Sequence, residues 1–171
     1  MLEQYKDAEV TVRRNDEIIL DELENYDAFV LSPGPGLPSE SGKLLEVSRR
    51  CISIGKVLGV CLGHQALAEV YGARLKNLDM VYHGVGLKTS IMQDDDPLFR
   101  NLPKILMTGR YHSWVIDAST LPQEIIVTAK DEMENIMAIR HVRLPVWGIQ
   151  FHPESILTEY GKELIFNWLD A

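Results

Sequence analysis

Seven consecutive residues, Gly59-Val60-Cys61-Leu62-Gly63-His64-Gln65, set a cysteine between two glycines. An apolar run, Val57-Leu58-Gly59-Val60, leads into the cysteine and a helical pattern leads out of it. This order predicts a nucleophile presented at a strand-to-helix turn. The glycines permit a tight bend, and the backbone N–H groups that open the helix face whatever the sulfur attacks. Far downstream, Phe151-His152-Pro153-Glu154-Ser155 offers a base and a group to orient it. In an extended segment, side chains two residues apart share a face, so Glu154 falls on the same side as His152, and Pro153 stiffens the spacer. Cys61, His152 and Glu154 are therefore the candidate catalytic triad. A helix N-terminus and a neighbouring imidazole both favour a thiolate over a thiol. A carboxylate beside the imidazole fixes its tautomer and stabilises its charged form. A tetrahedral oxyanion needs N–H donors. The first candidate is Leu62. The second comes from Ser32-Pro33-Gly34-Pro35-Gly36, where Pro35 has no N–H and Gly36 does.

Each of these residues also has a plainer reading. Cysteine is among the most buried residue types, and Cys51, mid-helix on an apolar stripe, is read as core. His152-Pro153-Glu154 alone makes an ordinary loop, and Gly34-Pro35-Gly36 alone an ordinary turn. His64 reads as a helix-start residue without a role, and His83, His112 and His141 read as structural. Asp94-Asp95-Asp96 reads as a solvated loop rather than a metal site. The five histidines show neither His-x-x-x-His nor His-Glu-x-x-His spacing, so no metal is expected.

The elements that must position these groups follow from periodicity. Glu9 to Arg13 alternates as a strand does. Asp27 to Leu31 is a short apolar run that ends at the Pro-Gly loop. Ser41 to Ile54 has helical spacing, Val57 to Val60 is a strand, and His64 to Tyr71 is helical with Gly72 just past its end. The second half is strand-rich. Val85 to Ile91 alternates, and Ile105-Leu106-Met107, Ile125-Ile126-Val127, Ile136 to Ile139 and Val146 to Ile149 are further short strands. A last helix starts near Thr158 and buries Leu164, Ile165, Trp168 and Leu169. The sum is one α/β domain over residues 1–171, with a mixed, mostly parallel central sheet flanked by helices. Ligands in such sheets bind beyond the carboxyl ends of the strands. Gly34-Pro35-Gly36, Cys61 and His152 each follow a predicted strand, so one pocket can hold all three.

Bulk properties narrow the partners. With 171 residues, 46% apolar and 25% charged, the chain can build a full core. A net charge of −8 argues against nucleic acid, whose binders present a basic face. No apolar run approaches the ~18 residues that suggest a membrane span, and no signal-peptide pattern opens the chain. Two cysteines make no disulfide scaffold of the secreted kind. A reducing, cytoplasmic compartment suits a catalytic thiol.

The three segments around Gly34, Cys61 and His152, in this order, resemble the class I glutamine amidotransferases. The resemblance covers nearly the whole chain from Glu9. Arg13-Arg14-Asn15-Asp16, Arg110-Tyr111-His112-Ser113 and Glu154-Ser155-Ile156-Leu157-Thr158 resemble the glutaminase component of anthranilate synthase. The corresponding component of aminodeoxychorismate synthase shares most of these marks.

The resemblance implies a flavodoxin-like fold and a glutamine substrate. It makes Cys61 the nucleophile with His152 and Glu154, and Gly36 and Leu62 the oxyanion donors. It implies glutamine contacts at Gly34, Pro35, Gly36, Gln65, Ser113 and Trp114. It also implies ammonia delivery to a chorismate-using synthase subunit, with no cofactor in this subunit and Mg2+ used by the partner. Trp114 replaces an expected leucine, a change that is harmless if the contact uses backbone. Val85, in His83-Gly84-Val85-Gly86, replaces an expected lysine in a segment expected near the partner. Family members open with a strand and a helix ahead of the segment at Glu9. The expectation is a fold lacking its first strand, with Met1 an internal methionine; the upstream codons test it.

Overall fold

The computed structural model describes residues 1–6 and 8–171. The strand that ends at Cys61, β2 (Lys56–Val60), runs parallel to β1 (Ala28–Leu31) on one side and to β9 (Val146–Ile149) on the other. Its side chains alternate between two cores, as the two-residue period of a strand requires. Val57 joins Phe29 and Leu31 on one face, under α1 (Leu44–Ile54) and α2 (Leu62–Val70). Leu58 and Val60 join Ala28 and Val30 on the other, where Leu164, Ile165 and Trp168 of α3 (Gly161–Asp170) pack. Strands covered on both faces read as near-continuous apolar runs, and Val57-Leu58-Gly59-Val60 is one.

From β9 the sheet continues through β8 (Ile136–His141), β7 (Ile125–Asp131), β4 (Val85–Ile91) and β5 (Ile105–Arg110), giving the order β1-β2-β9-β8-β7-β4-β5. The sheet is mixed, and its parallel pairings are those of β1, β2 and β9, the part that carries the site. The pairs from β9 to β5 are antiparallel. A separate antiparallel ribbon joins β3 (Leu75–Asn77) to β6 (Trp114–Ile116).

Several sequence expectations change here. Residues 8–14 form no strand, and Val12 is exposed. Alternation alone does not make a strand when no neighbouring edge pairs with its backbone. The first long helix begins at Leu44 rather than Ser41, because Gly42 takes a φ of +57° between it and a short turn at Pro38–Glu40. The last helix begins at Gly161, since Tyr160 adopts a left-handed φ of 57°. Thr158 instead ties two segments together: its Oγ1 donates to the His152 carbonyl and accepts from Gly109 N–H. Leu169 is only partly buried. The ribbon β3–β6 was not legible, since three-residue strands carry almost no periodicity.

The approach of α2 to the sheet sets the position of Cys61. A Cβ on Gly63 would sit 2.1 Å from the Leu31 carbonyl oxygen, and one on Gly59 would sit 2.5 Å from the Gly63 carbonyl oxygen. Backbone cannot yield as a flexible side chain can. Gly63→Ala is therefore expected to destabilise the fold by about 3 kcal/mol, at the upper end for overpacking. Urea unfolding checks this, and an unchanged midpoint would contradict the packing described.

Candidate active site

Cys61 caps α2 with φ 51° and ψ −101°, a backbone conformation that L-residues rarely adopt. Such a residue costs on the order of 1–3 kcal/mol and persists only where its surroundings over-determine it. Here Cys61 N–H donates to the Ile149 carbonyl at 2.8 Å, and the Cys61 carbonyl accepts from Gln65 N–H at 3.1 Å. The bend places Cys61 at the head of a nine-residue helix, whose first N–H groups have no intrahelical acceptor. Leu62 N–H is one of them. Gly34 lies against Leu62, since a Cβ at Gly34 would come 2.8 Å from Leu62 Cδ2. Gly36 has φ +77°, in the left-handed region that favours glycine.

A cleft of roughly 430 Å³ opens over this bend. Gly34, Pro35, Gly36, Cys61 and Leu62 line it on one side. Gln65, Ser113 and Trp114 also line it. All eight of these sequence-predicted residues thus meet in one cavity. His152 and Glu154 stand beside it. His152 Nδ1 meets Glu154 Oε1 at 2.7 Å, and the ring packs on Tyr111 with centroids 4.8 Å apart. Tyr111 is held in turn by a 3.1 Å hydrogen bond between its hydroxyl and Ser155 Oγ. The other ring nitrogen, His152 Nε2, is buried without a hydrogen-bond partner. Burial opposes charge on this ring, but the Cys61 sulfur and the Glu154 carboxylate outweigh it and raise the pKa from 6.5 to about 9. Glu154 is also partly desolvated, yet its bond to His152 holds its carboxyl below the ordinary value.

Sequence reasoning missed four contributors. Tyr111 and Tyr82 line the cleft, as do His83 and His112, the last two read from sequence as structural. His112 Nδ1 lies 3.1 Å from the Trp114 carbonyl. A carbonyl only accepts, so Nδ1 carries the proton. Burial, reinforced by the Arg110 guanidinium, lowers the His112 pKa to about 4 and keeps the ring neutral. Arg110 is itself buried, with Asp131 at 3.8 Å and Thr89 and Thr108 accepting its N–H groups. The sequence signals for these residues were the blocks Arg110-Tyr111-His112-Ser113 and His83-Gly84-Val85-Gly86, which give no direction for any one side chain.

Other residues fall away from the cleft. His64 is wholly buried beneath Gly148, where a Cβ would sit 2.7 Å from His64 Nδ1, and burial pushes its pKa down to about 3. Cys51 is core, its thiol pushed up to about 12 by burial. His141 Nδ1 accepts from the N–H groups of Arg143 and Leu144 in a turn. The Asp94-Asp95-Asp96 reading as a solvated loop needs correction at Asp96. Asp96 is buried and accepts from Leu98 N–H and Trp147 Nε1–H, while Asp94 and Asp95 pair with Lys104 and Arg140. Among the described residues, no group of three or more His, Cys, Asp or Glu side chains is placed to hold a metal ion. No helix among them is long and apolar enough to cross a membrane.

A thiol on a strained strand-to-helix turn, beside a carboxylate-bound imidazole in an α/β sheet, defines a cysteine amidotransferase or hydrolase type of site. Residues 2–171 match the class I glutamine amidotransferase family, and the chain belongs to it. It is 42% identical over 166 residues to the Bacillus subtilis aminodeoxychorismate/anthranilate synthase component 2, covering 95% of this chain and 84% of that protein. It is 43% identical over 170 residues to the Pseudomonas aeruginosa anthranilate synthase component 2, covering 95% and 83%. The crystal structure of a glutamine amidotransferase from Thermotoga maritima shares the fold, with a TM-score of 0.67 at 23% identity over 90% of this chain and 64% of that one.

The raised His152 pKa has a signed consequence. A ring whose pKa is higher in the folded state stabilises that state fully below its unfolded value near 6.5, and the contribution is lost as pH rises through about 9. An NMR titration of the His152 ring is expected to give a midpoint near 9. The midpoint drops in Glu154→Gln. In a Cys61→Ala/Glu154→Gln double variant only burial remains, and the midpoint falls below 6.5. A wild-type midpoint at or below 6.5 would contradict this electrostatic picture.

Proposed function

We propose that this chain is the glutaminase subunit of a two-component synthase. Cys61 attacks the side-chain carboxamide of glutamine. His152, held charged beside Glu154, passes its proton to the departing ammonia. Water then hydrolyses the glutamyl thioester to glutamate, with His152 as base. The oxyanion is received by the N–H groups of Leu62 and Gly36, and Gly34, Pro35, Gln65, Ser113 and Trp114 complete the glutamine pocket. The observation that carries this reading is the strained, positive-φ Cys61 at the head of α2, sharing a cleft with the Gly34-Pro35-Gly36 loop.

Ammonia passes on this reading to a chorismate-using partner subunit, giving anthranilate for tryptophan synthesis. The relatives' names support a partner, since they are called component 2 of a synthase. The exposed apolar side chains Met80, Val81 and Val85, next to Tyr82 and His83 at the cleft, are the surface assigned to it. The second product reading is aminodeoxychorismate, which the name of the Bacillus relative pairs with anthranilate. The reading needs no cofactor in this subunit, places Mg2+ in the partner, and sets the protein in the cytoplasm without nucleic-acid or membrane partners.

A glutamine-derived diazo ketone is expected to form one covalent adduct on Cys61, absent from Cys61→Ser. Gly36→Ala keeps the backbone N–H but strains the φ of +77° that aims it, so glutamine-dependent turnover is expected to fall, by no more than the roughly 100- to 1000-fold of a lost oxyanion donor. Ammonia-dependent synthesis by the partnered complex is left intact. Co-purification of the partner, followed by identification of the aromatic product from chorismate and glutamine, decides between the two products. Absence of both the adduct and glutamate release in the partnered protein would sink the proposal.

A further inference from the structure

Gln150 follows β9 directly and is completely buried, and nothing above gives it a role. Its side chain touches two groups of the site. Gln150 Oε1 accepts from Gln65 Nε2 at 3.1 Å, and Gln150 Nε2 lies 3.6 Å from Cys61 Sγ. The direction of this chain is fixed by chemistry. Gln65 Nε2 also meets the Trp114 carbonyl, at 2.9 Å. That oxygen can only accept, so the Gln65 atom facing it must be the N–H₂ group. The Gln150 atom opposite that group must then be the oxygen, because two amide nitrogens would set donor against donor. The Gln150 nitrogen is left facing the sulfur, and there it can only donate.

We propose that Gln150 is a positioning residue for the nucleophile, donating a side-chain N–H to the Cys61 sulfur and holding it as an anion at the edge of the cleft. The anchor is the Trp114 carbonyl, which takes N–H groups from both His112 and Gln65. From there the order runs Trp114 carbonyl, Gln65 amide, Gln150 amide, Cys61 sulfur. Hydrogen bonds to charged groups are worth more than neutral ones, so the link tightens as the thiol loses its proton. Both hydrogens of Gln65 Nε2 are used inside the protein, so what Gln65 offers a ligand in the cleft is its Oε1, an acceptor. The residue that greets a donor group of glutamine is thus the one that orients Gln150. His152 remains the proton carrier, and Gln150 restrains the sulfur.

This inference rests on Cys61 being the nucleophile, and the experiment separates the two. Cys61 is alkylated with iodoacetamide across a pH series in the full-length wild type, Gln150→Met and Gln150→Glu, with Cys61→Ser as the blank. Glutamine turnover is measured on the partnered proteins. Methionine keeps length and removes the donor. Glutamate keeps the oxygen that Gln65 needs and turns an oxygen towards the sulfur, so it serves if the methionine variant fails to fold. Both variants are expected to need higher pH for the same alkylation rate. Both are expected to lose roughly tenfold or more in kcat, the scale of a hydrogen bond to a charged group, with KM within about twofold. Profiles that overlay the wild type in a folded variant, with kcat unchanged, overturn the role. If the wild type is alkylated but takes no diazo-ketone adduct and releases no glutamate, the functional reading fails, and the alkylation series still judges the Gln150 link.

Discussion

The Leu31 carbonyl stands where a side chain on Gly63 would begin, and this closeness of α2 to the ends of β1 and β2 governs the site. A helix that starts so near the sheet cannot be reached from β2 by relaxed backbone. The chain must reverse within one residue, and Cys61 takes the positive-φ conformation that does so. Glycines at 59 and 63 allow the approach, and the bond from Cys61 N–H to the Ile149 carbonyl fixes the bend to β9. The strain falls on the residue whose exposure to the cleft matters. The same bend frees the opening N–H groups of α2, so one distortion presents both a sulfur and a donor for the oxygen it generates.

A second layer of order lies behind the cleft and is polar. Arg110 is buried with Asp131, Thr89 and Thr108, and its positive charge, together with burial, keeps His112 neutral. A neutral His112 with the proton on Nδ1 can donate to the Trp114 carbonyl, which also fixes Gln65. A buried ion of this sort contributes little net stability compared with apolar packing. What it does here is reinforce burial in keeping a neighbouring ring neutral, and that ring shares the Trp114 carbonyl on which the hydrogen-bond network to the sulfur is anchored.

The parts legible in the sequence were those whose signal is local. Cys61 between glycines, Gly34-Pro35-Gly36 after a strand, and His152-Pro153-Glu154 in one extended piece each carry their geometry within a few residues, and the structure brings the first two to one cleft with the third beside it. Strands β1, β2, β4, β5 and β7–β9 were legible because their apolar runs are long enough to show a period. Tyr82, His83, His112 and Gln150 were not, because each is placed by an element distant in sequence and no spacing rule connects it to Cys61. Asp96 failed differently. Its acidic neighbours suggested solvent, while Trp147, on another strand, supplies the buried donor that holds it inside. Glu9 to Arg13 alternated convincingly, but a strand needs a partner edge as well as a pattern.

The segment after β9 completes the electrostatics. His152 hangs from the segment after β9, where Thr158 Oγ1 donates to its carbonyl and its own N–H donates to the Gly109 carbonyl. The ring is thus held by backbone on one side, by Tyr111 on its face and by Glu154 at Nδ1. Only Nε2 is left uncommitted. An imidazole fixed at every point but one has little reorganisation to undergo when a proton arrives or leaves, and that is the preorganisation on which electrostatic catalysis depends. The cost is a charged ring in a half-buried place, and it is met by the Cys61 sulfur and the Glu154 carboxylate rather than by water. Removing either neighbour weakens the case for the charge, which is why the sulfur and the carboxylate act as one unit and not as two additive contributions.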